Sequence, residues 1–328
     1  MPVAKHACAT RLFAMLVAVL AFLSPTVNAQ QELRWKFEEG EKLNYDMIQN
    51  MTIGSTGGPL GAQNMTMRQE MDMTWEVVGV DEEGNAVIKQ QFDQMKIKMT
   101  LPPPLGTIEY DSKSDQAPQG PAAMLAPMYK AMTEAEFELT MTPRGEIKEV
   151  KIPDQVLAAL RNSPGAAAMG DMATPEGFKK MISQGALVLP EDAPQPGQEW
   201  TTKVEVNNPM AGKQVIETTY EFEGMKEVDG TTFAAIAPEL KMSFEGTPQV
   251  QMNVSEQDSS GEILFNVEEG RLHSSNLKQN VTIDITVAGQ MLQQKIDQTI
   301  EVKVTPASEE AAESDEQETA PTGEENSQ

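Results

Sequence analysis

The sequence predicts a mainly β protein: long curved antiparallel sheet built from two sequence repeats, with a few short inserted helices. Three observations predict it. Apolar residues recur with a period of two over most of the chain, turn-forming clusters separate the alternating runs, and the whole pattern occurs a second time.

The alternation is clearest from Met65. Odd positions read Met65, Met67, Gln69, Met71, Met73, Trp75 and Val77, and even positions read Thr66, Arg68, Glu70, Asp72, Thr74 and Glu76. Successive side chains of a strand point to opposite faces, so this is one strand with an apolar and a polar face. Residues Asp81, Glu82, Glu83, Gly84 and Asn85 supply a turn, and a return strand starts at Ala86. The same alternation runs through Leu43, Tyr45, Met47, Met51 and Ile53. It also runs through Val281 to Val287 and from Leu292 to Val304. One wet face implies antiparallel pairing.

The second occurrence is offset by 145 residues over much of its length. Thr74, Trp75, Glu76 and Val77 match Thr219, Tyr220, Glu221 and Phe222, and Gly79 matches Gly224. Met95, Ile97 and Met99 match Leu240, Met242 and Phe244 at the same offset. Gly40 to Leu43 is echoed by Gly197 to Trp200. Further on, Phe137, Leu139, Met141 and Gly145 parallel Ile263, Phe265, Val267 and Gly270. Shared parity, hairpin position and turn glycines point to two copies of one β unit, 30–152 and 190–305.

Helix signals fall within and after the first copy. Thr174, Pro175 and Glu176 read as N-cap, first-turn proline and first-turn acid, with Phe178, Met181 and Ile182 on one face and Gly185 as a stop. Asp154 to Arg161 gives a second short helix, and Pro121 to Ala131 a broken one around Pro127. The helical insert spans 153–189. The Gly- and Ala-rich stretch 162–173 and the insert 54–63 read as loops.

Both ends differ from this body. Residues 1–29 read as a signal peptide. Lys5 to Arg11 is basic, Leu12 to Leu23 is apolar, and Ser24 and Pro25 precede a Val27, Asn28, Ala29 cleavage pattern. The apolar run falls short of the ~20 residues that span a bilayer, so no transmembrane segment is expected after cleavage and the product is exported, to the periplasm or beyond. Residues 306–328 form an acidic tail without base, aromatic or branched aliphatic side chain, a composition that stays disordered.

Composition excludes several function classes. Cys8 is the one cysteine and falls in the signal, as does His6, leaving His273 as the one histidine of the body. Thiol nucleophiles, disulfides, zinc sites and two-histidine catalysis are therefore excluded. A formal charge of −25 opposes nucleic acid and anionic membrane as main partners. Ser275 and Lys278 match an S-x-x-K acylation pattern, but on a strand and without partner motifs. Asp81, Glu83 and Asn85 alternate like the opening of a calcium loop, yet a hairpin turn accounts for them. No cofactor or metal is implied.

The methionine face carries the functional reading. Met65, Met67, Met71, Met73 and Trp75 share one strand face. Their thioethers suit monovalent copper, and equally serve as flexible apolar filler on the parity that Trp75 and Val77 continue. A Met-rich sheet face poor in bulky aromatics also suits an apolar ligand or lipid.

One resemblance bears on this. Tyr110 to Ser112, Phe137 to Ile147, Leu189 to Trp200 and Gly261 to Leu272 resemble segments of a family of uncharacterised exported bacterial proteins, a domain of unknown function. That resemblance implies architecture and export and transfers no catalytic residue. At fold level, long curved strands with inserted helices resemble lipoprotein-carrier half-barrels. The leading expectation is an exported non-enzymatic binding protein holding an apolar ligand or lipid on the Met face. The alternatives are a structural or protein-interaction component of the bacterial envelope and an enzyme using a carboxylate pair.

Overall fold

The chain is described by a computed structural model over residues 31–57, 61–163, 174–208 and 212–307. The expected signal peptide, the acidic tail from residue 308 and most of the 162–173 loop lie outside these residues. Twelve strands form one antiparallel sheet: β1 (Lys42–Gly57), β2 (Gln63–Val80), β3 (Ala86–Thr100), β4 (Thr107–Asp111), β5 (Glu136–Met141), β6 (Ile147–Lys151), β7 (Gln198–Asn208), β8 (Gly212–Val228), β9 (Thr231–Glu245), β10 (Val250–Asn266), β11 (Arg271–Val287) and β12 (Gln290–Pro306). The helices are α1 (Ala122–Thr133), α2 (Asp154–Asn162) and α3 (Pro175–Gly185).

Sheet order is β6-β5-β3-β2-β1-β12-β11-β10-β9-β8-β7, with β4 also on β3. Each half is thus a meander, and β12 joins them by pairing with β11 and β1 together. The 54–63 insert is shorter than its sequence suggests: β1 runs to Gly57 and β2 starts at Gln63, because Gly54 and Ser55 keep ladder partners in Asn64 and Gln63. Pro127 lies inside α1 without dividing it.

The two meanders share local irregularities. The β2–β3 ladder shifts register between Val77 and Gly79, and the β8–β9 ladder between Phe222 and Gly224. Gly40 donates its N–H to the Val77 carbonyl, and Gly197 donates to that of Phe222. Beyond the hairpins the correspondence departs from the constant offset. Val77 pairs with Ile88 while Phe222 pairs with Ile236, because β8 runs six residues past Phe222 to Val228 before the turn at Asp229 and Gly230, whereas β2 ends at Val80, before the turn from Asp81 to Asn85. Those two residues both adopt positive φ, the twist a two-residue hairpin needs.

Packing rolls the sheet. Helix α3 contacts both β6 and β7, the strands at opposite ends of the sheet order, so it fills a seam that no ladder closes. Its N-terminus is capped by Thr174, whose hydroxyl accepts the Gly177 N–H at 3.1 Å. Phe178 on its buried face stacks on Phe137 of β5. The segment before β1 completes the filling. Trp35 donates its N–H to Pro143 and its Nε1 to Leu187, while Lys36 N–H reaches Gly270. Leu33, Trp35, Phe137, Ile236 and Phe265 belong to one buried cluster that draws on both halves. This plug occupies one end of the roll. At the other end lie the β1–β2, β3–β4, β7–β8, β9–β10 and β11–β12 hairpin tips. Among the described residues no helix is long and apolar enough to cross a membrane, which says nothing of strands.

Candidate functional site

Parity assigns the inner face. Val77, Ile88, Phe92, Met95 and Ile97 are buried against or beside the plug, so the odd positions of β2 and their ladder partners point inward. The five residues of the predicted face divide along the strand. Met71, Met73 and Trp75 pack against the buried cluster, whereas Met67 and Met65 continue past it, half-buried and outside any packed cluster. Trp75 donates to Gln90 Oε1 at 3.1 Å and lies 4.3 Å, ring to ring, from Tyr45. The Met71 sulfur accepts from Gln69 Nε2 at 3.0 Å, and the Met73 sulfur faces Gln90 Nε2 at 3.7 Å. These thioethers are engaged with amides, within an apolar wall.

Beyond the plug that wall crosses most of the sheet. Met67 pairs with Met51 on one side and Met99 on the other, and Met65 with Ile53, which pairs with Ile296. Leu240, Met242 and Phe244 of β9, and Met252 and Val254 of β10, alternate half-buried with exposed neighbours. Glutamines punctuate the wall: Gln49 pairs with both Gln69 and Ile300, and Gln214 donates to the Met242 sulfur at 3.3 Å. The apolar rows are thus broad, unbranched in large part, and free of ionised side chains.

Where plug and open wall meet, Tyr45 is buried. Its hydroxyl is the one buried side-chain polar atom without a partner among the described residues. Burial, then the nearby Glu41 carboxylate, pushes its pKa far up, so it stays a neutral phenol. Glu41 itself is paired with Arg271 at 2.6 Å.

The outer face is a different surface. A cavity of about 400 Å³ lies over the Asn50, Thr52, Arg68, Lys98 and Lys278 rows, and one of about 970 Å³ over Glu70, Lys96, Glu109 and Asp111. Their charges are largely paired, Arg68 with Glu70 at 2.8 Å and Lys98 with Glu109 at 2.6 Å. Sequence reading did not single out these rows, and the cross-strand register that assembles them is not visible in one strand.

Other motifs resolve locally. Ser275 pairs with Val302 and Lys278 with Thr299, on opposite sheet faces, so they do not meet. His273 contacts Phe233 at 4.6 Å. Asp81 accepts the backbone N–H groups of Glu83 and Asn85 and the Asn85 amide, stapling the hairpin turn. Those hydrogen bonds hold its pKa below the ordinary carboxylate range. Among the described residues no group of three or more His, Cys, Asp or Glu is placed to hold a metal ion.

A mainly β protein with one rolled, unclosed antiparallel sheet and a helical plug is the class this geometry defines. Within it, the chain belongs to the family of unknown function DUF6263, whose match covers residues 83–287. No functionally curated protein matches the sequence. Among solved structures it is similar to lipovitellin, from a study of its lipid–protein interactions. Identity there is 12%, the TM-score is 0.46, and the match covers 83% of this chain and 26% of that one. The chain therefore spans about a quarter of lipovitellin. It is also similar to an outer membrane channel from Pseudomonas putida F1, at 6% identity and TM-score 0.26, covering 83% of this chain and 97% of that one. A DUF1329 family protein from Desulfovibrio piger gives 8% identity and TM-score 0.16, with 82% and 87% covered.

Proposed function

We propose that this is an exported, non-catalytic binding protein that takes an elongated apolar molecule, such as a lipid acyl chain, on the inner sheet face beyond the plug. One observation carries the reading. The apolar parity that builds the core continues outward through Met67, Met51, Met99 and Ile296, but there it is half-buried and lies outside every packed cluster. A sheet that needed only a core would turn polar on both faces where the plug ends. Unbranched methionine accommodates chains of varied length and bend. A chain covering about ten methylenes gains about 8 kcal/mol at ~0.8 kcal/mol each, enough for micromolar affinity before ordering costs. Export is supported by the basic, apolar and small-residue order of residues 1–29. The non-catalytic reading is supported by the separation of Ser275 from Lys278 and by an inner wall that carries no ionised pair.

The test is uptake of a fatty acid carrying an anthroyloxy fluorophore, added from ethanol to the full chain. Saturable uptake is expected, with Met67→Glu and Met99→Glu each weakening it about tenfold by placing a charge in the wall. Met225→Glu, half-exposed beside the plug-end hairpin, should leave it unchanged. Uptake that ignores both wall variants would overturn the reading.

A further inference from the structure

Charge is distributed along the roll with a sharp polarity. The plug-end turns are crowded with it: Asp81, Glu82 and Glu83 in one, Arg144 and Glu146 in the next, Lys226, Glu227 and Asp229 in the third, Glu268, Glu269 and Arg271 in the last. The open-end tips have almost none. Residues 99–108 across β3–β4, 246–255 across β9–β10 and 285–294 across β11–β12 contain no Asp, Glu, Lys or Arg. The described rim residues of the β1–β2 hairpin, 47–57 with 61–67, also contain none, and those of β7–β8, 206–208 with 212–214, contain one, Lys213, which is paired with Glu205 and Glu245. In a chain with 23% charged residues and a net charge of −25, nearly charge-free tips side by side along one edge are a feature of the surface. Ladder partners make them neighbours: Gly57 pairs with Leu292, Val250 with Val287, and Thr66 with Thr100.

The rim also exposes apolar side chains. Leu105 is 60% exposed, Val287 45% and Met291 69%. Charges resume one step below, at Lys98, Glu245, Asp284 and Lys295. A surface of this kind enters an interfacial lipid layer without stripping water from an ion, while the charged body stays in solvent.

We propose that the open rim docks onto a lipid bilayer surface of neutral headgroups, with Leu105, Val287 and Met291 inserted. This deepens the acyl-binding reading and rests on it for its purpose: a molecule that scarcely dissolves in water passes between the bilayer and the inner wall at the wall's open end. Anionic lipid weakens the docking, because the body of the protein carries the same sign.

The test is flotation of the full chain with phosphatidylcholine vesicles, with and without one-third phosphatidylglycerol, alongside vesicle-free uptake of the fluorescent fatty acid. The expected result is co-flotation with phosphatidylcholine, reduced several-fold by phosphatidylglycerol. Met291→Asp and the triple variant Leu105→Asp, Val287→Asp, Met291→Asp should lower it at least tenfold with fatty-acid uptake and melting temperature retained. Met225→Asp at the charged end should float like the parent. Absence of flotation while fatty-acid uptake persists would overturn the rim proposal alone. Equal flotation of parent and rim variants would overturn it too, as would a sedimentation dimer abolished by Met291→Asp, which would assign the rim to a second copy of the chain. Flotation that depends on the rim without any fatty-acid uptake would sustain the docking and remove the acyl-binding reading.

Discussion

Asp72 shows how a single side chain is tuned by its ladder. It lies directly opposite Asp46 across β1–β2, with Gln94 beyond it on β3. Partial burial, and then the Asp46 carboxylate, hold its pKa above the usual carboxylate range, with Lys96 and Lys113 partly offsetting them. An acid whose folded pKa is raised binds its proton more readily in the native state. Its ionised form therefore costs stability at neutral pH, and that cost fades as pH falls through the native pKa. Asp72→Asn should raise the melting temperature at pH 7, by the ~0.5 kcal/mol typical of a cross-strand like-charge pair. The gain should be gone near pH 3, where both states are protonated. Melting curves from pH 3 to 8 check it, and a gain that persists at the acid end would exclude the electrostatic cause. At this scale the sequence was highly legible. The odd positions from Met65 to Val77 face inward as alternation requires, and Asp81 serves its turn. What one strand could not reveal was where packing against the buried cluster stops, between Met71 and Met67, because that depends on how far the plug reaches.

Among the elements, α3 carries a role out of proportion to its length. It touches β6 and β7 at once, and its Phe178 is buried and stacked on Phe137 at 5.7 Å. Phe178→Ala should destabilise the protein by about 3–5 kcal/mol, the usual cost of emptying a core phenylalanine site. Because α3 also spans the seam between β6 and β7, limited proteolysis should open between α3 and β7 before the β1–β12 ladder yields. A urea midpoint shifted by less than the equivalent of about 1 kcal/mol would mean that the seam is held elsewhere. The start of this helix was readable from Thr174, Pro175 and Glu176, since capping chemistry is local. Its bridging of the sheet edges was not, and neither was the plug role of Leu33 and Trp35, which precede the first alternating run. Long-range partners leave no period in the sequence. The same reason hid β12, which alternates like any strand yet joins the two meanders. Residues 54–57 misled in the opposite direction: small and turn-prone, they read as loop, and their ladder with β2 and β12 overrides that propensity.

At the scale of the molecule, three gradients run along the roll in register. Packing falls from the plug toward the open tips, charge falls with it, and the inner wall carries apolar and amide side chains but no ionised one along its length. The first belongs to any folded domain. The other two are what a stable fold alone does not require, and together they describe a container with an uncharged wall and a mouth almost free of charge. The claim underneath is that the wall beyond Met71 holds an apolar molecule. Native mass spectrometry of the full chain, with solvent extraction of whatever it carries, tests that claim most directly. The account predicts a defined adduct of lipid mass, lost on denaturation and restored by added fatty acid. A bare mass that takes up no fatty acid would contradict it and leave the Met-rich wall as packing surface for a protein partner.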